Sequence, residues 1–251
     1  MKKTSLFTLV YEDADIAVLN KSSGIAVSPD RWDMSRERLD KLAEEFLGIE
    51  RIFTVHRIDR DTSGLVVFAK NSEIHKRLSA AFEERQIKKR YIAVVRGRPS
   101  WKETVCDLPL VPNGNKLHHT IADRFRGKAS LTTFKVLVSA GNYSVLEARP
   151  ETGRTHQIRV HLAFLGHSIV CDELYGNTKP VLLSSFKKHW RGDHLDEKPL
   201  LSRLGLHAAY LFIPGYNEAG LELRAPLSRD MAALIRQMEK AAGAESGIFE
   251  T

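Results

Sequence analysis

The feature that most constrains the fold is a run of five apolar residues, Leu65-Val-Val-Phe-Ala69, directly after the mostly polar run His56–Gly64. An uninterrupted apolar run of this kind predicts a strand that is buried on both faces. Such a strand needs other elements packed above and below it, so the chain must build a layered domain. The polar run then forms a loop at one end of a rigid strand, which is where functional sites commonly lie.

The remaining periodic segments intermix strands and helices. Further strands are predicted at Ile16–Leu19, Tyr91–Val95, Leu131–Val138, Tyr143–Arg149, Leu206–Ile213 and Leu221–Leu223. Gly141-Asn142 joins two of them as a hairpin. Apolar residues at helical spacing predict four helices. The first covers Leu39–Leu47 between Ser35 and Gly48, and the second covers Ile74–Phe82 with Asn71 or Ser72 as its cap. The third covers Ile158–Leu165 between Thr155 as cap and Gly166, and the fourth covers Met231–Met238 with Ser228 as its cap.

This mixture of strands, helices and a hairpin predicts an α+β fold with a mixed, mostly antiparallel sheet flanked by helices. No linker-like segment divides the sequence, so we expect a single domain over residues 1–251, with the irregular stretch Tyr175–Leu200 as a surface insertion.

Composition limits the class of protein. Hydrophobic residues make up 43% of the chain, which excludes a disordered protein, and no apolar run is long enough to span a membrane. Lys and Arg outnumber Asp and Glu by 38 to 31, and the net charge of +7 favours a polyanionic partner. Two distant cysteines, Cys106 and Cys171, form no disulfide framework, so we expect a cytoplasmic protein. The His and Cys spacing matches no metal site and no phosphate-binding Gly motif occurs, so we expect neither a metal nor a cofactor.

Three polar segments are candidates for chemistry. The loop His56–Gly64 crowds acids, arginines and hydroxyls before the buried strand. Glu151–His161 places Arg, Gln and His around the first turns of a helix, where anions bind well. Arg85–Arg98 holds six Lys and Arg residues, no acid, and Tyr91 at its centre, a pattern that suits phosphate contacts and base stacking. The first two segments are equally compatible with a solvated charged surface, and a basic run such as the third is more often only a solvated face.

Taken together, six segments resemble the RluA-type pseudouridine synthases. His56–Gly64 (HRIDRDTSG) is similar to the HRLDxxTSG signature of that family, and the other matches are Asn20–Gly24, Lys89–Gly97, Gly127–Thr132, Gly153–His161 and His207-Ala208. They occur in the family's order over residues 8 to 227. The chain departs from the family pattern at Ser22, Ser28 and Ile58.

The resemblance implies an isomerase that converts uridine in RNA to pseudouridine without a cofactor. Breaking the glycosidic bond builds positive charge at C1′, which a fixed carboxylate stabilises or attacks. The resemblance assigns this part to Asp59, either as nucleophile or in a glycal route. It assigns to Arg159, with Arg154 as the alternative, the task of keeping that carboxylate ionised. It assigns to Tyr91 stacking on the uracil and relay of the final proton.

The resemblance also implies the substrate contacts. Arg57 resembles the side chain that enters the RNA helix where the base leaves, and Ile158 or Leu65 would line the pocket. The residues expected to bind substrate are Arg57, Arg60, Thr62, Arg154, His156, Gln157, Ile158, Lys88 and Lys89.

Two other functions compete with this interpretation. A non-catalytic RNA-binding module would share the basic strand and the aromatic residue, but carboxylates such as Asp59 and Asp61 repel phosphate. A glycoside hydrolase would use Asp59 and Asp61 as a pair, although the cationic neighbours fit RNA better than sugar.

The substrate is expected to be a stem-loop of ribosomal or transfer RNA. Many ribosomal members of the family carry an N-terminal RNA-binding domain of S4 type, and the first family element here begins near Tyr11. We therefore expect no such domain, a slight preference for a compact RNA such as tRNA, and a monomer that does not bind membranes.

Overall fold

The computed structural model describes residues 6–29, 37–117 and 119–249. The described strands are β1 (Phe7–Glu12), β2 (Ile16–Lys21), β3 (Phe53–Thr54), β4 (Ser63–Ala69), β5 (Lys88–Arg96), β6 (Glu103–Cys106), β7 (Leu110–Val111), β8 (Ile121–Ala122), β9 (Thr132–Ala140), β10 (Tyr143–Pro150), β11 (Leu206–Ile213) and β12 (Leu221–Arg224). The described helices are α1 (Leu39–Leu47), α2 (Ser72–Glu83), α3 (Gln157–Phe164) and α4 (Arg229–Ala242), with a 3₁₀ turn at Leu183–Ser185.

The described residues fall into two compact units. The first lies within Met1–Lys89 and His207–Pro226, and the second within Arg90–Leu206 and Leu227–Thr251. Antiparallel pairing predominates, and β4 pairs with β11 in parallel. The predicted α+β class with a mixed, mostly antiparallel sheet is therefore confirmed.

In the first unit the strands pair in the order β1-β2-β4-β11, with β3 beside β4 and β12 beside β11. Every residue of β4 is buried, as its apolar run predicts. Leu65 and Val67 pack with Ile74 and Leu78 of α2 in the core of this unit. The side chain of Asn71 accepts a hydrogen bond from the Ile74 N–H at 2.9 Å, so the predicted cap of α2 is confirmed.

In the second unit the order is β5-β10-β9-β6, and β7 and β8 form a separate short hairpin. The predicted hairpin at Gly141-Asn142 joins β9 and β10. Ile158 and Leu162 of α3 pack with Phe134 and Leu146 in the core of this unit. Four residues of α4 at the predicted positions, Met231, Leu234, Ile235 and Met238, are fully buried.

Three predicted helix starts need comment. His156 precedes α3 with a φ of 54°, and this left-handed conformation keeps the preceding residues out of the helix, so the predicted cap by Thr155 is wrong. Ser228 stands at the predicted start of α4, but its side chain makes no capping hydrogen bond because its hydroxyl accepts from Arg203 instead. The predicted start of α1 at Ser35 lies outside the described residues, and the described helix begins at Leu39 and ends before Gly48.

The stretch Tyr175–Leu200 is irregular, as predicted, but it is more than a surface insertion. Val181 is fully buried and its N–H donates to the Leu201 carbonyl at 2.8 Å. Phe186 is also buried, against Gly141 at the β9–β10 turn. The apolar residues of this stretch therefore anchor it to the second unit.

Candidate active site

In the first unit, the loop between β3 and β4 carries Asp59 on a tight turn. The Asp59 carbonyl accepts the Thr62 N–H at 3.1 Å, with Arg60 and Asp61 at the tip of the turn. The neighbouring Ile58 is only 7% exposed and holds the loop to the core. Asp59 is half-buried, whereas the side chains of Arg57 and Arg60 are exposed. Arg60 pairs with Asp61 at 3.2 Å across the surface, an arrangement that contributes little stability.

A buried lysine fixes the backbone of this turn. Lys21, at the end of β2, is 1% exposed, and its ammonium donates to the carbonyls of Ser22 at 2.9 Å, Ile25 at 2.8 Å and Arg60 at 2.8 Å. A buried ammonium requires such partners, because removing its hydration shell without replacement is very costly. A charged donor from a distant part of the chain therefore holds the Arg60 carbonyl within the turn.

The segment after Lys21 adds two more bonds to the same turn. Gly24 N–H donates to the Arg60 carbonyl at 2.9 Å, and the Ser23 hydroxyl donates to the Asp61 carbonyl at 2.7 Å. Asn20-Lys21 was part of the sequence resemblance, but sequence reasoning gave Lys21 no role. Its position at the end of a buried apolar strand was the available signal.

The three residues after the turn are packed tightly. Thr62 and Ser63 are buried, and the Ser63 hydroxyl is 2.9 Å from Nδ1 of His207 on β11. Gly64 has a φ of 114°, and a Cβ placed there would lie 2.2 Å from the Ala208 carbonyl oxygen. Only glycine allows β4 and β11 to approach this closely, so the Thr-Ser-Gly sequence sets where the loop leaves the sheet.

His56, at the start of the loop, is held as a neutral acceptor. Its Nε2 accepts the Val67 N–H at 3.0 Å, and its ring stacks on Phe82 with centroids 4.4 Å apart. Desolvation of the ring, with a smaller contribution from the charge of Lys89, lowers the pKa of His56 to about 3. His56 therefore orients the loop as a neutral base that accepts a backbone hydrogen bond.

Strand β5 separates its basic residues between two faces. Lys88 and Arg90 are exposed, whereas Lys89 and Tyr91 are half-buried, following the two-residue alternation of a strand. Burial lowers the pKa of Lys89. Lys88 and Lys89, which the sequence analysis grouped as phosphate ligands, therefore point away from each other.

In the second unit, the polar residues of α3 are buried. Gln157, Arg159 and His161 are each less than 5% exposed, which excludes a solvated helix face. The Gln157 side-chain oxygen accepts from the Arg154 N–H at 3.0 Å and the Thr152 hydroxyl at 2.7 Å. Its nitrogen donates to the Leu131 carbonyl at 3.0 Å and the Thr132 hydroxyl at 2.9 Å. All four hydrogen-bonding positions of this amide are used, so a contact to RNA would replace one of them.

Arg159 forms a buried two-point ion pair with Asp172. The distances from Nε and Nη2 to the two carboxylate oxygens are 2.9 and 2.8 Å, and Asp172 is fully buried. Burial acts to raise the pKa of Asp172, but Arg159 and the N–H groups of Leu174 and Tyr175 outweigh it and lower the pKa. The guanidinium of Arg159 is thereby fixed in orientation as a permanent cation. Asp172 was missed by sequence reasoning, although an acid directly after the apolar run Ile169-Val-Cys171 was a visible signal.

Tyr175 links His156 to the β7–β8 hairpin. Its hydroxyl accepts the Thr120 N–H at 2.9 Å and lies 2.9 Å from Nδ1 of His156. Burial raises the pKa of Tyr175, which favours the neutral hydroxyl. Arg154 is half-buried, with its Nε donating to the Ala129 carbonyl at 3.2 Å.

The predicted site residues thus divide between the units. The first unit holds Arg57, Asp59, Arg60 and Thr62 in one loop. Lys88 and Lys89 belong to the same unit but lie on β5. Tyr91, Arg154, His156, Gln157, Ile158 and Arg159 belong to the second unit. Within the described parts of the chain, no group of three His, Cys, Asp or Glu side chains could hold a metal ion. No described helix is long and apolar enough to cross a bilayer.

Comparison with known proteins identifies the class. The family model described as RNA pseudouridylate synthase matches residues 15–164. Ribosomal large subunit pseudouridine synthase D of Zymomonas mobilis is 35% identical over 239 residues, which cover 92% of this chain and 72% of that protein. Ribosomal large subunit pseudouridine synthase C of Vibrio cholerae is 34% identical over 236 residues, which cover 93% of this chain and 70% of that protein.

Two solved structures share the fold. Human RNA Pseudouridylate Synthase Domain Containing 4 has a TM-score of 0.71 at 24% identity, covering 92% of both chains. Human RNA Pseudouridylate Synthase Domain Containing 1 has a TM-score of 0.69 at 28% identity, covering 90% of this chain and 86% of that one. Fold and sequence together define an isomerase that acts on RNA. The chain belongs to the RNA pseudouridylate synthase family and is of the RluA type, which the sequence resemblance predicted.

Proposed function

We propose that this enzyme isomerises specific uridines in stem-loops of large-subunit ribosomal RNA, with Asp59 as the catalytic carboxylate. The observation that carries the proposal is a half-buried acid on a turn that Lys21, Ser23 and Gly24 fix in position. A carboxylate on so well fixed a backbone, beside exposed arginines, suits a reaction that develops positive charge at a defined atom. The names of the two bacterial relatives support ribosomal RNA, in place of the tRNA-sized substrate that the sequence analysis slightly favoured.

The proposed reaction moves one bond of the nucleoside. The N1–C1′ bond breaks, the uracil turns, C5 bonds to C1′, the C5 proton leaves and N1 gains a proton. Asp59 either attacks C1′ or assists a glycal route. The oxocarbenium-like charge at C1′ requires the carboxylate to be ionised in both cases.

Arg159 is the proposed cation that keeps Asp59 ionised, with Arg154 as the alternative. In support of Arg159, its guanidinium is buried and held by two hydrogen bonds to Asp172, so its direction is fixed before substrate binds. Arg154 is half-buried and makes a single bond to the Ala129 carbonyl with its Nε. Tyr91 is proposed to stack on the uracil and to relay the C5 proton.

The remaining proposed roles concern RNA binding. Arg57, which is exposed next to the fixed turn, would fill the space left by the extruded base. The other substrate-binding residues proposed are Arg60, Thr62, Arg154, His156, Gln157, Ile158, Lys88 and Lys89. We also propose that residues 1–251 act as one catalytic domain, as a monomer, and in the cytoplasm.

The test is pseudouridine mapping of cellular RNA with and without the gene for this chain, followed by complementation with Asp59→Asn. We expect one or a few sites to disappear without the protein and to stay absent with the variant. The purified variant should bind RNA normally and lose at least two decades of turnover, about 3 kcal/mol of barrier. Turnover above roughly one hundredth of wild type would assign catalysis to another residue.

A further inference from the structure

Away from the proposed catalytic residues, the turn after β8 displays an aromatic side chain to solvent. Phe125 is 99% exposed, the highest exposure among the large hydrophobic residues that the structure describes. A base stacked on this ring would remove apolar area from water that the free protein leaves exposed.

The turn itself is rigid. The Asp123 side chain accepts the Phe125 and Arg126 N–H groups at 2.9 and 3.0 Å, and the Gly127 N–H donates to the Asp123 carbonyl at 2.9 Å. A Cβ on Gly127 would lie 2.4 Å from the Asp123 carbonyl oxygen and 2.5 Å from Pro109. The backbone is therefore held in one shape, and Phe125 is presented without a large ordering cost on binding.

Cationic residues flank this aromatic residue in the sequence. Arg124 and Arg126 flank Phe125 directly, and Lys128 follows two residues later; all three are exposed. Arg126 also pairs with Asp123 at 2.7 Å, which orients its guanidinium. An aromatic face between arginines matches single-stranded nucleic acid, because bases stack on the ring while phosphates meet the cations.

The turn is connected to the substrate-binding side of the second unit. Asp123 follows β8 directly, and its N–H donates to the Pro109 carbonyl just before β7. At the other end of β8, the Thr120 N–H donates to the Tyr175 hydroxyl, which also contacts His156. The β7–β8 hairpin thus carries the displayed ring on a support tied to a proposed RNA contact.

We propose that Phe125, with Arg124, Arg126 and Lys128, forms an RNA-binding platform that stacks an unpaired base of the substrate other than the target uridine. The proposal uses the established action of the family on RNA but not the roles of Asp59, Arg159 or Tyr91. The surrounding positive charge favours RNA over an apolar protein partner as the occupant.

The experiment measures binding of a labelled oligoadenylate, which contains no uridine and so reports on the platform independently of catalysis. Phe125→Ala should weaken binding by roughly five-fold to a hundred-fold, the range for removing the stacking of one base. Phe125→Trp should restore it, whereas Phe125→Leu, which keeps apolar bulk without an aromatic face, should not. The matched control is Phe164→Ala, which removes a 61% exposed phenylalanine without flanking arginines and should bind like wild type.

Salt dependence separates stacking from charge. Arg124→Ala with Arg126→Ala should reduce the slope of log affinity against log salt by roughly 0.7 for each phosphate that the variant no longer neutralises, while Phe125→Ala leaves the slope unchanged. Wild-type affinity of Phe125→Ala, or equal restoration by Leu and Trp, would overturn the proposal. Self-association that depends on Phe125, with RNA affinity unchanged, would equally overturn it in favour of a protein contact.

Discussion

Replacing Gly64 with alanine should destabilise the sheet at the end of the loop that carries Asp59. The added Cβ would lie 2.2 Å from the oxygen and 2.5 Å from the nitrogen of Ala208, and both are backbone atoms that no rotamer change can move. Restoring ordinary contact requires β4 and β11 to separate by roughly 1 Å, at the register where Ser63 and Gly64 pair with His207 and Ala208.

The magnitude has two sources. A non-glycine residue at a φ of 114° costs about 1–3 kcal/mol, and overpacking against an immovable neighbour adds about 1–3 kcal/mol. The expected loss of about 2–6 kcal/mol is a large part of the free energy of unfolding of a typical domain. It should lower the urea midpoint by about 1–2 M. Turnover should fall as well, because the displaced strand carries the end of the Asp59 turn.

Gly48→Ala is the matched control for backbone conformation. Gly48 also has a positive φ, of 64°, but nothing lies within 4 Å of its added Cβ. This variant should lose about 1 kcal/mol and keep full turnover. Circular dichroism in urea and pseudouridine assays on both variants measure the difference. Equal losses of stability for the two variants would refute the steric argument.

Two further predictions concern buried charge. Asp172→Asn leaves the Arg159 guanidinium buried without its carboxylate, so we expect a loss of about 3–5 kcal/mol in urea unfolding and a fall in kcat with little change in RNA affinity. The control Glu222→Gln breaks an exposed ion pair and should cost less than about 1 kcal/mol. Equal losses of stability for the two variants would contradict the role of burial. Burial lowers the pKa of His56 from 6.5 to about 3 in the folded protein, so between these pH values the unfolded chain binds more protons than the folded one. The free energy of unfolding should therefore fall as pH decreases from about 6.5 to about 3. His56→Gln can still accept the Val67 N–H but does not titrate, so its stability should depend less on pH in that window, and an unchanged acid limb would show that other groups control it.

Sequence patterns located the central elements well because burial sets their periodicity. The apolar run Leu65–Ala69 lies within β4, and Leu206–Ile213 coincides with β11. The missed strand β1 has half-buried and exposed residues along its whole length, so it lacks the apolar run that marked the others. The two-residue strands β3, β7 and β8 are too short to carry any period.

Sequence reasoning named candidate site residues but not the residues that hold them in place. The resemblance named Asp59 and Arg159. It gave no role to Lys21, Asp172 or Tyr175, because their contacts join residues that are distant in sequence or lie in a loop without a periodic pattern. The solvated-face interpretation of α3 failed because hydropathy counts Gln157 and Arg159 as polar, while every donor and acceptor of Gln157 is satisfied inside the protein. Sequence alone does not report whether a polar group has found partners.

The bond from Lys21 to the Arg60 carbonyl also has a consequence for folding. It closes a segment of 39 residues, and its donor lies at the end of β2, where Lys21 is paired with Gly64 of β4. Closing a loop of this length costs entropy, so the Lys21 bond adds a long-range restraint to a turn whose local hydrogen bond joins Thr62 to Asp59. We therefore expect the Asp59 turn to gain its full set of hydrogen bonds only with long-range sheet assembly, and a nascent chain without β4 to lack them.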